Sequence, residues 1–231
     1  MNRLLSVSLI ALTLTAGAPP KMVAQSPALQ KGISVELAST SNAAPMPDAD
    51  NANAWIVAVT DNGTVYLGID PITLAAVTDE MKSRPRGREQ RLYIKADART
   101  PYADVMRILE GARAAGVTAP TLLTAQQESP APGAIVPPQG LEIFLDPPAL
   151  SSGSIMVQVL SSGQQSPIFK INHQTVSWEA LQSTLAQAFQ NRSDKLILVK
   201  ADGQLSFAQV VRVIDTCRSA GAKVILATPQ I

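Results

Sequence analysis

The sequence predicts an α+β fold made of two tandem units, each a mixed β-sheet with two helices on one face in the order ββ(β)αβαβ. Three observations predict it. LYIKAD at 92–97, followed by a helical pattern ending in ARAAG at 112–116, returns as ILVKAD at 197–202 and CRSAG at 217–221, both landmarks displaced by 105 residues. A fixed internal period marks a duplicated unit. Within each half, alternating strand patterns and helical stripes follow one another in the same order. The 231 residues are 46% hydrophobic and 16% charged, enough aliphatic side chain for each unit to close its own apolar interior.

At the start of the chain, Asn2 and Arg3 precede an apolar run over 4–18 that Pro19, Pro20 and Lys21 end. Fifteen helical residues reach about 22 Å, short of the ~30 Å hydrocarbon core, so residues 1–25 are expected to be a secretory signal peptide or a short membrane anchor. GISVEL at 32–37 supplies a first strand over 33–37, echoed by GLEIFL at 140–145 with a strand over 141–145. The stretch 39–54, rich in Ala, Asn, Asp and Pro, is expected to be a mobile loop.

A hairpin follows, with arms over 56–60 and 65–67, and over 155–160 and 168–171 in the second half. Asp61-Asn62-Gly63 supplies residues that tolerate the positive φ of a tight turn. The next helix is capped by Thr73 or Ser177, whose hydroxyl accepts a free first-turn amide. Leu74, Val77 and Met81, and likewise Trp178, Leu181 and Leu185, fall on one stripe. After each KAD strand a second helix turns Tyr102, Val105, Leu109 and Ala112, or Phe207, Val210, Ile214 and Cys217, inward. Pro101 suits its first turn, and Ser206 with Gln209 forms a capping box. Gly116 and Gly221 close these helices in the left-handed conformation, and last strands follow over 121–124 and 223–226. Residues 126–140 hold four prolines and two glycines. The expected division is therefore 26–126 for the first repeat, 127–138 for a semi-stiff linker and 139–231 for the second repeat.

A formal net charge of +1 argues against a duplex nucleic-acid binder, which needs a basic field. The single Cys217 excludes an internal disulfide and a thiolate zinc cage. It falls on an inward stripe, as a small core residue. His173, the sole histidine, lies in an expected surface turn without a catalytic partner. No P-loop, dinucleotide glycine series, HExxH or GxSxG occurs, so no catalytic, cofactor or metal residue is assigned and no enzyme is expected.

Two sets of residues are candidate contacts. Lys95 and Asp97 recur as Lys200 and Asp202, on the strand face opposite Ile94 or Val199. They are either polar contacts to a partner or, for the aspartates, acceptors of backbone amides in the following turn. Lys82, Arg84, Arg86, Arg88 and Arg91 gather five cations, with Glu89 the only opposing charge. That loop is either a dock for an anionic polymer, lipid headgroup or acidic partner, or a solvated connection.

The series GISVEL, DNGTVYLGIDPITL (61–74), LYIKAD and TPYADVMRILEGARAAG (100–116) resembles the periplasmic domain of the ExbD/TolR family, and the second half keeps VKAD, FAQVV and RSAG. The resemblance covers residues 26–231 and implies a component of an energy-transducing transport system at the periplasmic side of the inner membrane. Its implied partners are ExbB/TolQ-like motor subunits or TonB/TolA-like proteins. Strand addition, in which an extended partner segment pairs with an open sheet edge, is one mechanism by which they could be held. Family members carry a membrane helix with a proton-relay aspartate. No acidic residue precedes Glu36 here, so the chain is expected to lack that relay. Family domains pair as dimers, and the duplication implies a covalent pseudo-dimer. The alternative role is a free periplasmic scaffold that binds peptidoglycan.

Overall fold

A computed structural model describes residues 32–83, 91–127, 136–145, 154–163 and 166–227. The expectations for 1–25 and for most of the 127–138 linker fall outside them. The first half begins with β1 (Ser39–Thr40), β2 (Ala44–Pro45) and a 3-10 turn over Pro47–Asp50, then the hairpin β3 (Trp55–Val59) and β4 (Val65–Leu67). Gly63 takes φ +81 in the hairpin turn, and Asn62 Oδ1 accepts the Thr64 N–H at 3.1 Å, so the DNG tripeptide closes the turn as its chemistry dictates. The chain continues through β5 (Asp70–Ile72), α1 (Val77–Ser83), β6 (Leu92–Ala96), α2 (Tyr102–Ala114) and β7 (Thr121–Gln126). Thr73 accepts the Ala76 N–H at 3.2 Å, capping a 3-10 turn that leads into α1. Pro101 stands at the cap position, one residue before the expected place, and Gly116 takes φ +83 at the far end.

The second half runs β8 (Gln139–Glu142), β9 (Ile155–Leu160), β10 (Ile168–Ile171), β11 (Gln174–Val176), α3 (Trp178–Ala188), β12 (Leu196–Ala201), α4 (Phe207–Ser219) and β13 (Lys223–Leu226). Ser177 caps α3, and the Ser206/Gln209 capping box holds α4 from both directions. Every inward residue named for the second helices is buried, from Tyr102 and Val105 to Ile214 and Cys217. On α3, Trp178 is half-buried, its ring 5.3 Å from that of Phe169 and beneath the Arg212 guanidinium at 4.0 Å.

The strands order as β2-β8-β7-β6-β3-β4-β5 in one sheet, with β1 alongside β7, and as β11-β10-β9-β12-β13 in the other. The shared path is the same in both. A hairpin extended by a third antiparallel strand (β3-β4-β5; β9-β10-β11) is joined to two parallel strands (β6, β7; β12, β13) by helical crossovers. The third strand is an addition to the sequence reading. Its signal is the turn before it, where Gly68 takes φ +71 and Asn172 and His173 take φ +45 and +76.

Three expectations are corrected. The 39–54 stretch is not a bare loop: β1 lies parallel to β7, β2 pairs with β8, and Ala49 is 1% exposed beneath the sheet. The first strands are shorter than expected, Leu37 making only an isolated bridge to Asp97, while β8 starts at Gln139. β8 also leaves its own repeat, pairing antiparallel with β7 across the register Thr121–Glu142 to Thr124–Gln139. Phe144 then returns to the second sheet, its N–H donating to Val224 and its carbonyl accepting from Leu226. The interiors accordingly merge: one apolar cluster runs from Val57 and Ile94 through Tyr102 and Phe207 to Val199 and Val224.

The halves meet about a pseudo-twofold axis. The Tyr102 N–H donates to the Leu205 carbonyl at 2.8 Å, and the Phe207 N–H to the Thr100 carbonyl at 2.8 Å. The Ala103 N–H donates to Gly203 at 3.0 Å, and the Ala208 N–H to Ala98 at 2.9 Å. Adding 105 to the first repeat's members, and subtracting it from the second's, converts each bond into its counterpart. That reciprocity is the pattern of an isologous dimer contact, formed here within one chain. Tyr102 and Phe207 are equivalent, yet the buried Tyr102 hydroxyl has no hydrogen-bond partner among the described residues. Removing an unsatisfied buried hydroxyl relieves its desolvation cost, so Tyr102→Phe is expected to stabilise the chain by about 1 kcal/mol. Urea denaturation checks this, and a loss of stability would show that the hydroxyl is satisfied.

Candidate functional site

The KAD strands place equivalent residues in unlike surroundings. Lys95 and Asp97 are each 3% exposed, whereas Lys200 is exposed and Asp202 half-buried. Burial holds the Lys95 ammonium below its ordinary pKa, the charge of Asp50 opposing that shift. Asp97 Oδ2 accepts the Glu36 N–H at 3.0 Å, and Oδ1 accepts the Arg99 N–H at 3.1 Å and Nε at 2.9 Å. Asp97 therefore ties the first segment of the chain to the turn before α2. Asp202 accepts the Gln204 N–H at 3.1 Å in the equivalent turn.

The hydrogen bonds from Arg99, ahead of the other contributions, hold the Asp97 carboxyl below the usual range. A carboxylate with a depressed folded pKa stabilises above its unfolded value, near 3.9, and the stabilisation is lost as pH falls through the folded value. Asp97→Asn is thus expected to cost about 1–2 kcal/mol at pH 7. The difference from the parent should shrink steadily below about pH 4. Thermal denaturation across that range measures it, and a pH-independent difference would remove the carboxylate's charge from the account.

Of the five cations, Arg84, Arg86 and Arg88 lie outside the described residues. Lys82 is exposed at the end of α1, and Arg91 pairs with Glu142 of β8 at 3.2 Å, part of the seam between the repeats. A second polar seam is the Asp215 carboxylate of α4, which accepts the Ser41 and Asn42 N–H groups at 3.0 and 2.8 Å. Sequence reasoning missed it, because nothing local to Asp215 points to residues 41 and 42. His173 is exposed in its turn, and burial pushes the Cys217 thiol up to about 12. Among the described residues no cluster of His, Cys, Asp and Glu can hold a metal ion, and no helix is long and apolar enough to cross a membrane.

The sheets end on edges of different quality. β7 is covered by β8 and β1, and Phe144 lies along β13. Among the described residues, the strands paired on one side only are β2, β5, β11 and the two-residue β1. Pro45 and Pro71 lack an N–H and so blunt the first two. β11, Gln174-Thr175-Val176, holds no proline, and Gln174 and Thr175 are exposed.

A family model described as biopolymer transport protein ExbD/TolR matches residues 22–127 and again residues 124–230. No curated protein matches the chain.

Proposed function

Since the chain belongs to the ExbD/TolR family of biopolymer transport proteins through both of its halves, we propose that it is a non-enzymatic component of an energy-transducing transport system in the cell envelope. It faces the periplasm and holds protein partners, ExbB/TolQ-like motor subunits or TonB/TolA-like proteins. The repeats, divided as 26–126 and 139–231, stand in for the two members of a dimer. Proton movement belongs to a partner, since the apolar run over 4–18 carries no acidic side chain.

The observation that carries the binding mode is β8, a strand of one repeat laid on the sheet edge of the other. Backbone hydrogen bonds supply affinity in such an addition, and alternate side chains supply selectivity. The chain satisfies one such edge by itself and leaves the proline-free β11 edge for a partner. Lys200 and Asp202, the accessible KAD pair, remain candidate contacts, while Lys95 and Asp97 support the fold.

Adding extended TonB/TolA-type peptides to the isotope-labelled chain should shift the amide resonances of Gln174, Thr175 and Val176 together. Shifts confined to the loop around Lys82 and Arg91 would replace strand addition with anionic-polymer binding. Retention of the chain by purified cell wall, with no response to any peptide, would favour the peptidoglycan scaffold.

A further inference from the structure

Each sheet packs one face on the helices, but the opposite faces are treated differently. In the first repeat that face is sealed by the strap of residues 44–54. Ala49, Met46 and Ala54 pack on Ile56, Tyr93 and Leu123 in a small second core. The same strap brings Asp50 into electrostatic contact with the buried Lys95.

The second repeat repeats this face without such a strap among the described residues. A displacement of 105 turns Tyr93 into Leu198 and Lys95 into Lys200. Pairing sets Met156 beside Leu198 as Ile56 stands beside Tyr93. The register then gives three rows. Ile225, Leu198 and Met156 form one, Lys200, Gln158 and Lys170 the middle one, and Leu160 and Ile168 the last. None of these side chains belongs to either apolar cluster: Ile225 is buried at 1% exposure, Met156, Gln158, Leu160, Lys170 and Leu198 are half-buried, Ile168 is 40% exposed, and Lys200 is exposed. No acidic residue occupies the three rows.

We propose that this face of the second sheet is a docking surface for an acidic, apolar segment of a partner protein, chemically like the strap that occupies the equivalent face of the first sheet. An aliphatic side chain of the partner sits over Met156 and Leu198, and carboxylates beside it meet Lys200 and Lys170. The argument for this occupant is internal. Met46-Pro47-Asp48-Ala49-Asp50 already fits the matching face by the same pairing of a small apolar residue with carboxylates. The opposite charge of lysine and carboxylate sets direction and selectivity, and the apolar rows supply buried area. The surface lies on a sheet face, apart from the β11 edge, so the two sites are separately testable.

The test uses a synthetic peptide with the sequence of residues 43–54, titrated into the whole chain with methyl groups labelled. Saturable shifts are expected for the Met156, Leu160, Ile168 and Leu198 methyls, with the β11 amides unmoved. Lys170→Glu with Lys200→Glu should weaken binding by about tenfold or more. The peptide carrying Asn at its two aspartates should weaken it comparably, which controls for any misfolding of the protein variant. Absence of methyl shifts at millimolar peptide, or shifts indifferent to both charge changes, overturns the proposal. So would doubling of the chain's mass through this face, which assigns it to a second copy. Shielding of the Met156 methyl from a soluble paramagnetic probe in the free chain would likewise overturn it, by assigning the face to the chain's own residues 146–153.

Discussion

Phe207→Ala is expected to cost about 3–5 kcal/mol and to unfold both halves in one transition. The Phe207 ring is fully buried, and its N–H bonds to Thr100 across the pseudo-twofold axis. It sits where the two interiors join, so the cavity left behind is lined from both repeats. The two interiors form one apolar cluster, whereas a modular pair of domains would lose only the second. Circular dichroism and tryptophan fluorescence distinguish the cases, because Trp55 lies in β3 and Trp178 in α3. Separate midpoints for the two probes would show that the merged core is not a cooperative unit.

The second large effect is expected at Gly140. A Cβ there would stand 2.5 Å from Thr121 Cγ2, 2.9 Å from Met46 Cγ and 3.3 Å from the Leu122 carbonyl oxygen. β8 is therefore clamped between β7 and the strap at a distance only glycine allows. Gly140→Ala should destabilise by about 3 kcal/mol, at the upper end for overpacking. Amide protection should be lost across Gln139–Glu142 while β12 and β13 keep theirs. Uniform loss over both sheets would mean instead that β8 pairing is a condition for the whole fold. Unchanged protection would place β8 off the β7 edge.

Much of the architecture was legible because it is set locally. The Thr73, Ser177 and Ser206 caps, the glycines at 116 and 221, and the hairpin turn at 61–63 each depend on neighbours within a few residues. The inward stripes of the four helices follow from a 3.6-residue period that needs no knowledge of what they face. The duplication was legible for a related reason, as a constant displacement between like-patterned segments. Strands β5 and β11 escaped because three residues carry too little alternation to register.

The candidate site was less legible. Lys95 and Lys200 occupy one motif and one strand position, yet one is sealed and the other exposed, because the first repeat lays a strap over that face and the second has none among the described residues. Residues 44–54 have the composition of a solvated loop, and their ordering comes from Ala49 finding an apolar patch formed by β3, β6 and β7. Asp215 is one more polar residue on an exposed helix face until Ser41 and Asn42 arrive beside it.

By itself the sequence determined the kinds of element, their order, their ends and their duplication, since each of these is decided by contacts a few residues apart or by a repeated pattern. Tertiary structure alone decided which sheet received β8, that the interiors became one, and which of two matching faces the strap of residues 44–54 covers. Those outcomes turn on pairings between residues from Thr121–Glu142 to Ser41–Asp215 that are far apart along the chain. Several segments with similar local preference compete for such positions. The winner is the one whose backbone hydrogen bonds and apolar side chains are satisfied together in the folded chain.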